Sequence, residues 1–110
     1  MEKRIPHYDL KTIQTMLHDE SLRLITKTSR QGAVSLGYVT EEEMIGVVDL
    51  LHQGHFDKSM TTIGDTKLWQ DVYKIADGQN NVYIKLQLSA NKSSAVLVEF
   101  KEDTGTGGIR

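Results

Sequence analysis

Apolar residues recur at helical spacing in the first half of the chain and at strand spacing in the second. Leu10, Ile13, Met16 and Leu17 stand three and four apart behind Asp9, whose carboxylate suits a helix N-cap, and His18–Ser21 ends that helix. Leu22–Lys27 reads as a short, half-alternating strand. A second short helix starts at Thr28 or Ser29, runs through Val34 and Leu36, and closes at Gly37. Thr40 with Glu43 three residues on is a capping box, and Met44, Val47, Val48 and Leu51 complete the strongest helical pattern. Its glutamates, Glu41–Glu43, sit at the positive end of the helix dipole.

Beyond Gly54 the spacing changes. Strands are predicted over His55–Thr61, Leu68–Lys74, Asn81–Leu88 and Ala95–Lys101, joined by polar connections at Ile63–Lys67, Ile75–Asn80 and Ser89–Ser94. Such short links favour antiparallel neighbours. Val82, Ile84, Leu86 and Leu88 fall on one face of the third of these strands, with Tyr83, Lys85 and Gln87 on the other. In the fourth, plain alternation groups Val96, Val98 and Phe100 against Leu97, Glu99 and Lys101. Helices first and strands last predict an α+β fold: an antiparallel sheet of about five to six strands with about three helices on one face and the other face open. Residues 1–8 read as a polar arm, residues 1–101 as a single domain, and 102–110, with three glycines, as a flexible tail.

Composition adds bounds. The 110 residues include no cysteine, which excludes disulfides and thiolate metal sites and fits a cytoplasmic setting. The charged opening Met1–Pro6 has no apolar run behind it, so neither a signal peptide nor a membrane span is expected. The net charge of −2 is unlike that of a protein that coats DNA. Its acidity is concentrated, however: residues 41–57 hold five acids and no Lys or Arg, and the stretches on either side are mildly basic. A helix N-terminus and a solvated helix face account for that acidic segment.

No nucleophile elbow, phosphate loop or paired-histidine metal motif is present. His52 and His55 flank Gly54 without a third ligand at metal-site spacing, so a structural role outweighs metal binding. His7 and His18 stand alone, each able to titrate near neutral pH. The open sheet face carries the remaining chemistry. Tyr83, Lys85 and, by parity, Lys101 combine a stacking ring with phosphate-holding ammonium groups, a combination suited to single-stranded RNA. The same groups could cut RNA without metal, provided proximity to cations brings tyrosine or lysine towards neutral pKa. An ordinary solvated face with cross-strand pairs is the alternative. Lys58 and Gln70 are polar, yet alternation groups them with Phe56 and Met60 and with Leu68 and Val72; a bulge, or an apolar patch on the open face, is needed to expose them. Trp69 and Tyr73 share a face and read as packing residues.

Several segments, in order, resemble the MqsR family of bacterial toxins. They are Met1–Arg4 with Pro6-His7, Phe56 with Lys58–Thr62, Trp69–Tyr73, Val82–Lys85 and Phe100–Glu102. The resemblance implies a RelE-like ribonuclease fold and a ribosome-independent, metal-independent mRNA endoribonuclease that prefers GCU-type triplets. It further implies growth arrest, links to persistence and biofilm formation, and neutralisation by a cognate MqsA-like antitoxin, through which alone the toxin would meet DNA. No cofactor and no membrane partner are implied. Lys58, Gln70 and Tyr83 match the residues tied to activity, with Lys101 and His7 as weaker matches. The expected roles are charge stabilisation or proton transfer for Lys58, orientation of the RNA for Gln70, and stacking or proton transfer for Tyr83; Lys85, Lys101 and His7 would contact RNA. Asp57 departs from the family's tyrosine, placing a carboxylate beside the site that repels phosphate or pairs with a lysine. A noncatalytic RNA- or partner-binding module on the same fold is the competing reading.

Overall fold

The computed structural model describes residues 1–105. Among these residues lie three α-helices and a single six-stranded sheet. α1 (Leu10–Leu17) starts where the Asp9 carboxylate accepts the Thr12 backbone N–H at 3.2 Å and the Thr12 hydroxyl at 2.7 Å. α2 (Lys27–Ser35) starts earlier than Thr28, because the Thr26 hydroxyl accepts the Ser29 N–H at 3.0 Å and so caps it. Gly37, at φ +96°, follows its end. α3 (Glu41–Asp49) has the expected reciprocal capping box between Thr40 and Glu43.

The strands are β1 (Glu2–Lys3), β2 (Arg23–Ile25), β3 (Phe56–Thr62), β4 (Asp65–Asp77), β5 (Asn80–Leu88) and β6 (Ala95–Glu102), in the order β1-β3-β4-β5-β6-β2. β4 is longer than its apolar pattern, and the connections flanking it shrink to two-residue turns at Ile63-Gly64 and Gly78-Gln79. Gly64 and Gly78 take φ of +94° and +60°, as tight hairpin turns require. Part of the polar arm becomes a strand, with Glu2 opposite Met60 and Lys3 opposite Ser59. One pairing departs from the antiparallel expectation: β2 runs parallel to β6, which the long intervening chain allows.

Two of the three register shifts in the sheet are single-residue bulges that set which side chains share a face near its middle. Phe56 faces Tyr73 but Lys58 faces Val72, so Asp57 is extra in β3. Glu99 faces Lys85 but Leu97 faces Leu86, so Val98 is extra in β6. The second bulge corrects the plain alternation: Leu97 and Phe100 both enter the core, and Val96 turns to the open side opposite Gln87.

α1 and α3 cover one side of the sheet. Leu10, Ile13, Leu17, Met44, Val47 and Val48 pack there against Tyr73, Ile75, Val82, Ile84, Leu86, Leu97 and Phe100, all buried. α2 lies so close to β6 that a Cβ on Gly32 would fall 2.1 Å from the Phe100 carbonyl oxygen. The C-terminal stretch expected to be flexible begins inside the sheet. Glu102 ends β6, and the Asp103 N–H donates to the Asn81 carbonyl at 2.8 Å. Positions 106–110 of that expected tail lie outside the described residues. Among the described residues, no helix is long and apolar enough to cross a membrane.

Candidate functional site

The extra residue at Asp57 rotates Lys58 onto the side of the sheet away from α1 and α3. Cross-strand pairing then builds rows on that side. One row runs Lys58, Val72, Lys85, Glu99 across β3 to β6. The next holds Lys74, Tyr83 and Lys101. On the other flank Met60 faces Gln70, and the Gln70 side-chain amide donates to the Gln87 Oε1 at 2.7 Å. Neighbouring strands lie about 4.8 Å apart. Lys58, Gln70, Tyr83, Lys85 and Lys101 therefore share one surface, assembled from four strands. Both conditions for exposing Lys58 and Gln70 hold, since this face also carries its own apolar patch. Val72 is fully buried, yet it stands outside the helix-side core, between Lys58 and Lys85. Lysine stems lying over an apolar residue account for that burial.

Each lysine of the surface has a carboxylate partner. Lys58 Nζ lies 3.3 Å from Glu2 Oε2. Glu99 bridges two cations, with Lys85 Nζ 2.9 Å from Oε1 and Lys101 Nζ 3.4 Å from Oε2. Both ammonium groups also approach the Tyr83 ring, at 5.9 Å for Lys85 and 5.0 Å for Lys101 from its centroid. Lys74 stands 3.6 Å from Asp103 and 4.0 Å from Asp57. The Asp57 carboxylate thus sits near a lysine, and its carbonyl accepts the Arg4 guanidinium at 3.2 Å.

Burial and the Glu99 charge push the Tyr83 hydroxyl above its ordinary pKa; the opposing pull of Lys101 and Lys58 is weaker. The cation cluster therefore does not bring this phenol towards neutrality, and Tyr83 keeps its proton at pH 7. Glu99 moves the other way. Burial alone would raise its pKa, but the hydrogen bond and charge of Lys85, together with Lys101, outweigh burial and hold it below the usual carboxylate range. The sequence pattern already grouped Glu99 with Lys101 by parity, although it singled out only the cations.

His7 lies elsewhere. Its backbone N–H donates to both Asp71 carboxylate oxygens at 3.1 and 3.0 Å, and the Tyr8 N–H donates to the same group at 2.9 Å. Its ring stacks on Trp69 with centroids 5.5 Å apart, under Lys3 at 4.2 Å from the indole. Trp69 and Asp71 alternate with Gln70 and Val72 along β4, which puts His7 on the opposite side of the sheet from Tyr83. Burial and Lys3 lower its pKa. Asp71, itself buried, anchors this arm and was not distinguished by any local pattern.

The other histidines serve local structure. The His52 and His55 rings lie 4.0 Å apart, tilted at 44°, and each accepts a backbone N–H through Nδ1. His18 pairs with Asp49 at 2.8 Å beside a hollow of about 270 Å³ on the helical side. Among the described residues, no three His, Cys, Asp or Glu side chains gather as a metal-holding cluster.

Comparison with known proteins places the chain. A family model described as "Motility quorum-sensing regulator, toxin of MqsA" matches residues 5–102. The mRNA interferase toxin MqsR of Escherichia coli (strain K12) is 33% identical over 102 residues, spanning 93% of this chain and 99% of that relative.

Proposed function

Because the chain belongs to the MqsR toxin family, we propose that it is a cytoplasmic mRNA endoribonuclease that acts without the ribosome and without a metal ion. In this reading it cuts single-stranded mRNA at GCU-like sites and arrests growth, and a cognate MqsA-like antitoxin neutralises it. The observation that carries the reading is the shared surface of Lys58, Gln70, Tyr83, Lys85 and Lys101. The relative's name supports the substrate, and the family likeness supports the triplet preference and the antitoxin.

The chemistry follows from the side chains. An RNA phosphodiester settles on Lys85 and Lys101, and an unpaired base stacks on Tyr83. Gln70, already held by Gln87, orients the strand. Attack by the 2′-oxygen on the adjacent phosphorus builds negative charge, which Lys58 stabilises from the neighbouring row. The Tyr83 phenol, kept protonated by burial and Glu99, donates to the departing 5′-oxygen. His7, on the other side, can contact only a strand that wraps the β1 edge.

The test is incubation of the purified protein with a defined single-stranded RNA in EDTA. Discrete cuts that leave 2′,3′-cyclic phosphate ends are expected. Intact RNA with retained binding would overturn the nuclease reading in favour of a noncatalytic RNA-binding module. Growth arrest on expression, relieved by the antitoxin gene, checks the toxin role in cells.

A further inference from the structure

Cleavage through a 2′-oxygen needs a group to take the 2′-hydroxyl proton, and the roles set out under the proposed function leave that group unassigned. Tyr83 retains its own proton. His7 lies across the sheet, His18 is paired with Asp49 on the helical side, and His52 and His55 cap a turn. Of the carboxylates near the rows, Glu2 is on the edge strand, and Asp57 and Asp103 flank Lys74. Glu99 differs from these. It stands directly opposite Lys85 and two residue pairs along from the Tyr83–Lys101 pair, on the same face and inside the cation cluster.

We propose that Glu99 is the proton acceptor for the attacking 2′-hydroxyl, a catalytic role that rests on the RNA-cleavage reading above. The placement suits the task. Diagonal neighbours on one face of an antiparallel pair lie about 7–8 Å apart, so Glu99 and Tyr83 can flank one phosphodiester from opposite sides. In-line attack requires that arrangement, since the entering 2′-oxygen and the leaving 5′-oxygen occupy opposite faces of the phosphorus. The two groups are also driven apart in acidity, the phenol upwards and the carboxyl downwards, which separates an acid from a base at neutral pH.

The groups acting on Glu99 are Lys85 from β5 and Lys101 from its own strand, with the neutral Tyr83 phenol diagonally across on β5. In the free protein the two ammonium groups weaken the carboxylate as a base. An arriving phosphodiester takes over those same ammonium groups. Glu99 then loses the partners that depress its proton affinity and becomes a stronger base as the substrate binds. In the step itself the O2′–H proton passes to Glu99 Oε while the O2′–P bond forms. The P–O5′ bond breaks and O5′ takes the Tyr83 proton. The products are a 2′,3′-cyclic phosphate and a 5′-hydroxyl; proton exchange with water restores both side chains.

The test compares the intact protein with Glu99→Gln and Glu99→Asp, by single-turnover cleavage of a defined RNA between pH 4 and 8. Affinity is measured separately on the same RNA carrying a 2′-deoxy sugar at the cut site, which cannot react. Glu99→Gln should cleave about 10²- to 10⁴-fold more slowly and bind the deoxy RNA as tightly as the parent or tighter. The fall in rate on the acid side seen in the parent should vanish in Glu99→Gln, and Glu99→Asp should recover part of the rate. Parent-like or faster cleavage by Glu99→Gln would overturn the proposal and leave Glu99 as an anion that merely competes with phosphate. An unmoved acid limb, or a rate loss matched by lost affinity, would overturn it too. Failure of the parent to cleave would sink the nuclease reading, and this proposal with it.

Discussion

Lys58 stands directly opposite Val72, one residue out of step with the Phe56–Tyr73 pair two positions earlier. That offset turns an apparently core-facing lysine onto the surface it shares with Tyr83, Lys85 and Lys101, where it pairs with Glu2. Lys58→Ala is expected to slow single-turnover RNA cleavage by about 10²- to 10³-fold, the usual cost of losing a group that stabilises transition-state charge. The unfolding free energy from urea titration should change by no more than about 0.5 kcal/mol, as for other partly exposed surface positions.

Tyr83→Phe separates stacking from proton donation. The ring is kept and the hydroxyl lost, so affinity for a noncleavable deoxy-substituted RNA should stay within about twofold, a change of roughly 0.4 kcal/mol. Cleavage should fall by about 10²-fold or more if the phenol protonates the leaving oxygen. Equal losses in affinity and rate would assign the hydroxyl to binding alone.

Asp71 fixes the N-terminal arm by accepting the backbone N–H groups of His7 and Tyr8 from a buried position. Asp71→Ala leaves those donors unpaired, and a loss of about 1–3 kcal/mol in unfolding free energy is expected. Trypsin should cut after Lys3 or Arg4 faster than in the parent, because β1 then loses its anchor. Unchanged proteolysis would show that the β1–β3 pairing holds the arm by itself.

Gly32 is where α2 meets β6 at backbone distance. An added methyl would fall 2.1 Å from the Phe100 carbonyl oxygen, so Gly32→Ala must push helix and strand apart. The expected destabilisation is about 1–3 kcal/mol, read from the denaturant midpoint. Mid-helix propensity alone would predict the opposite sign.

His55 gives stability a pH dependence near neutrality. Its Nδ1 accepts the His52 N–H at 3.1 Å, and burial and His52 lower its pKa from the ordinary 6.5. The unfolded chain therefore binds the proton first as pH falls below 7. Stability should drop from about pH 7 down through the lowered folded-state value and then level off. His55→Asn should flatten that part of the curve; a slope equal to the parent's would assign the effect to another group.

Local chemistry made much of the fold legible. Asp9 and the Thr40–Glu43 box mark two helix starts in their own side chains. The alternation of Val82, Ile84 and Leu86 with Tyr83 and Lys85 marks both faces of β5. What stayed hidden depends on partners far along the chain. Nothing in Glu2-Lys3 marks a strand, because the residues that pair it are Ser59 and Met60. Nor do the letters around Asp57 and Val98 announce an extra residue; a bulge is defined by what the opposite strand does. For the same reason the cations of the candidate site were readable singly, while the Glu99 bridge between Lys85 and Lys101 required the β5–β6 register. His7, placed with the RNA contacts by likeness, stands across the sheet because Asp71 holds its backbone there.

The sheet ends on both sides in very short strands, Glu2–Lys3 and Arg23–Ile25. An edge of two or three residues offers little template for another chain to extend. At the β1 edge the Met1 carbonyl already accepts the Thr61 N–H, and Arg4 occupies the carbonyl of the bulged Asp57. The terminal arm therefore covers an edge that would otherwise present a seven-residue strand, Phe56–Thr62, to a second copy.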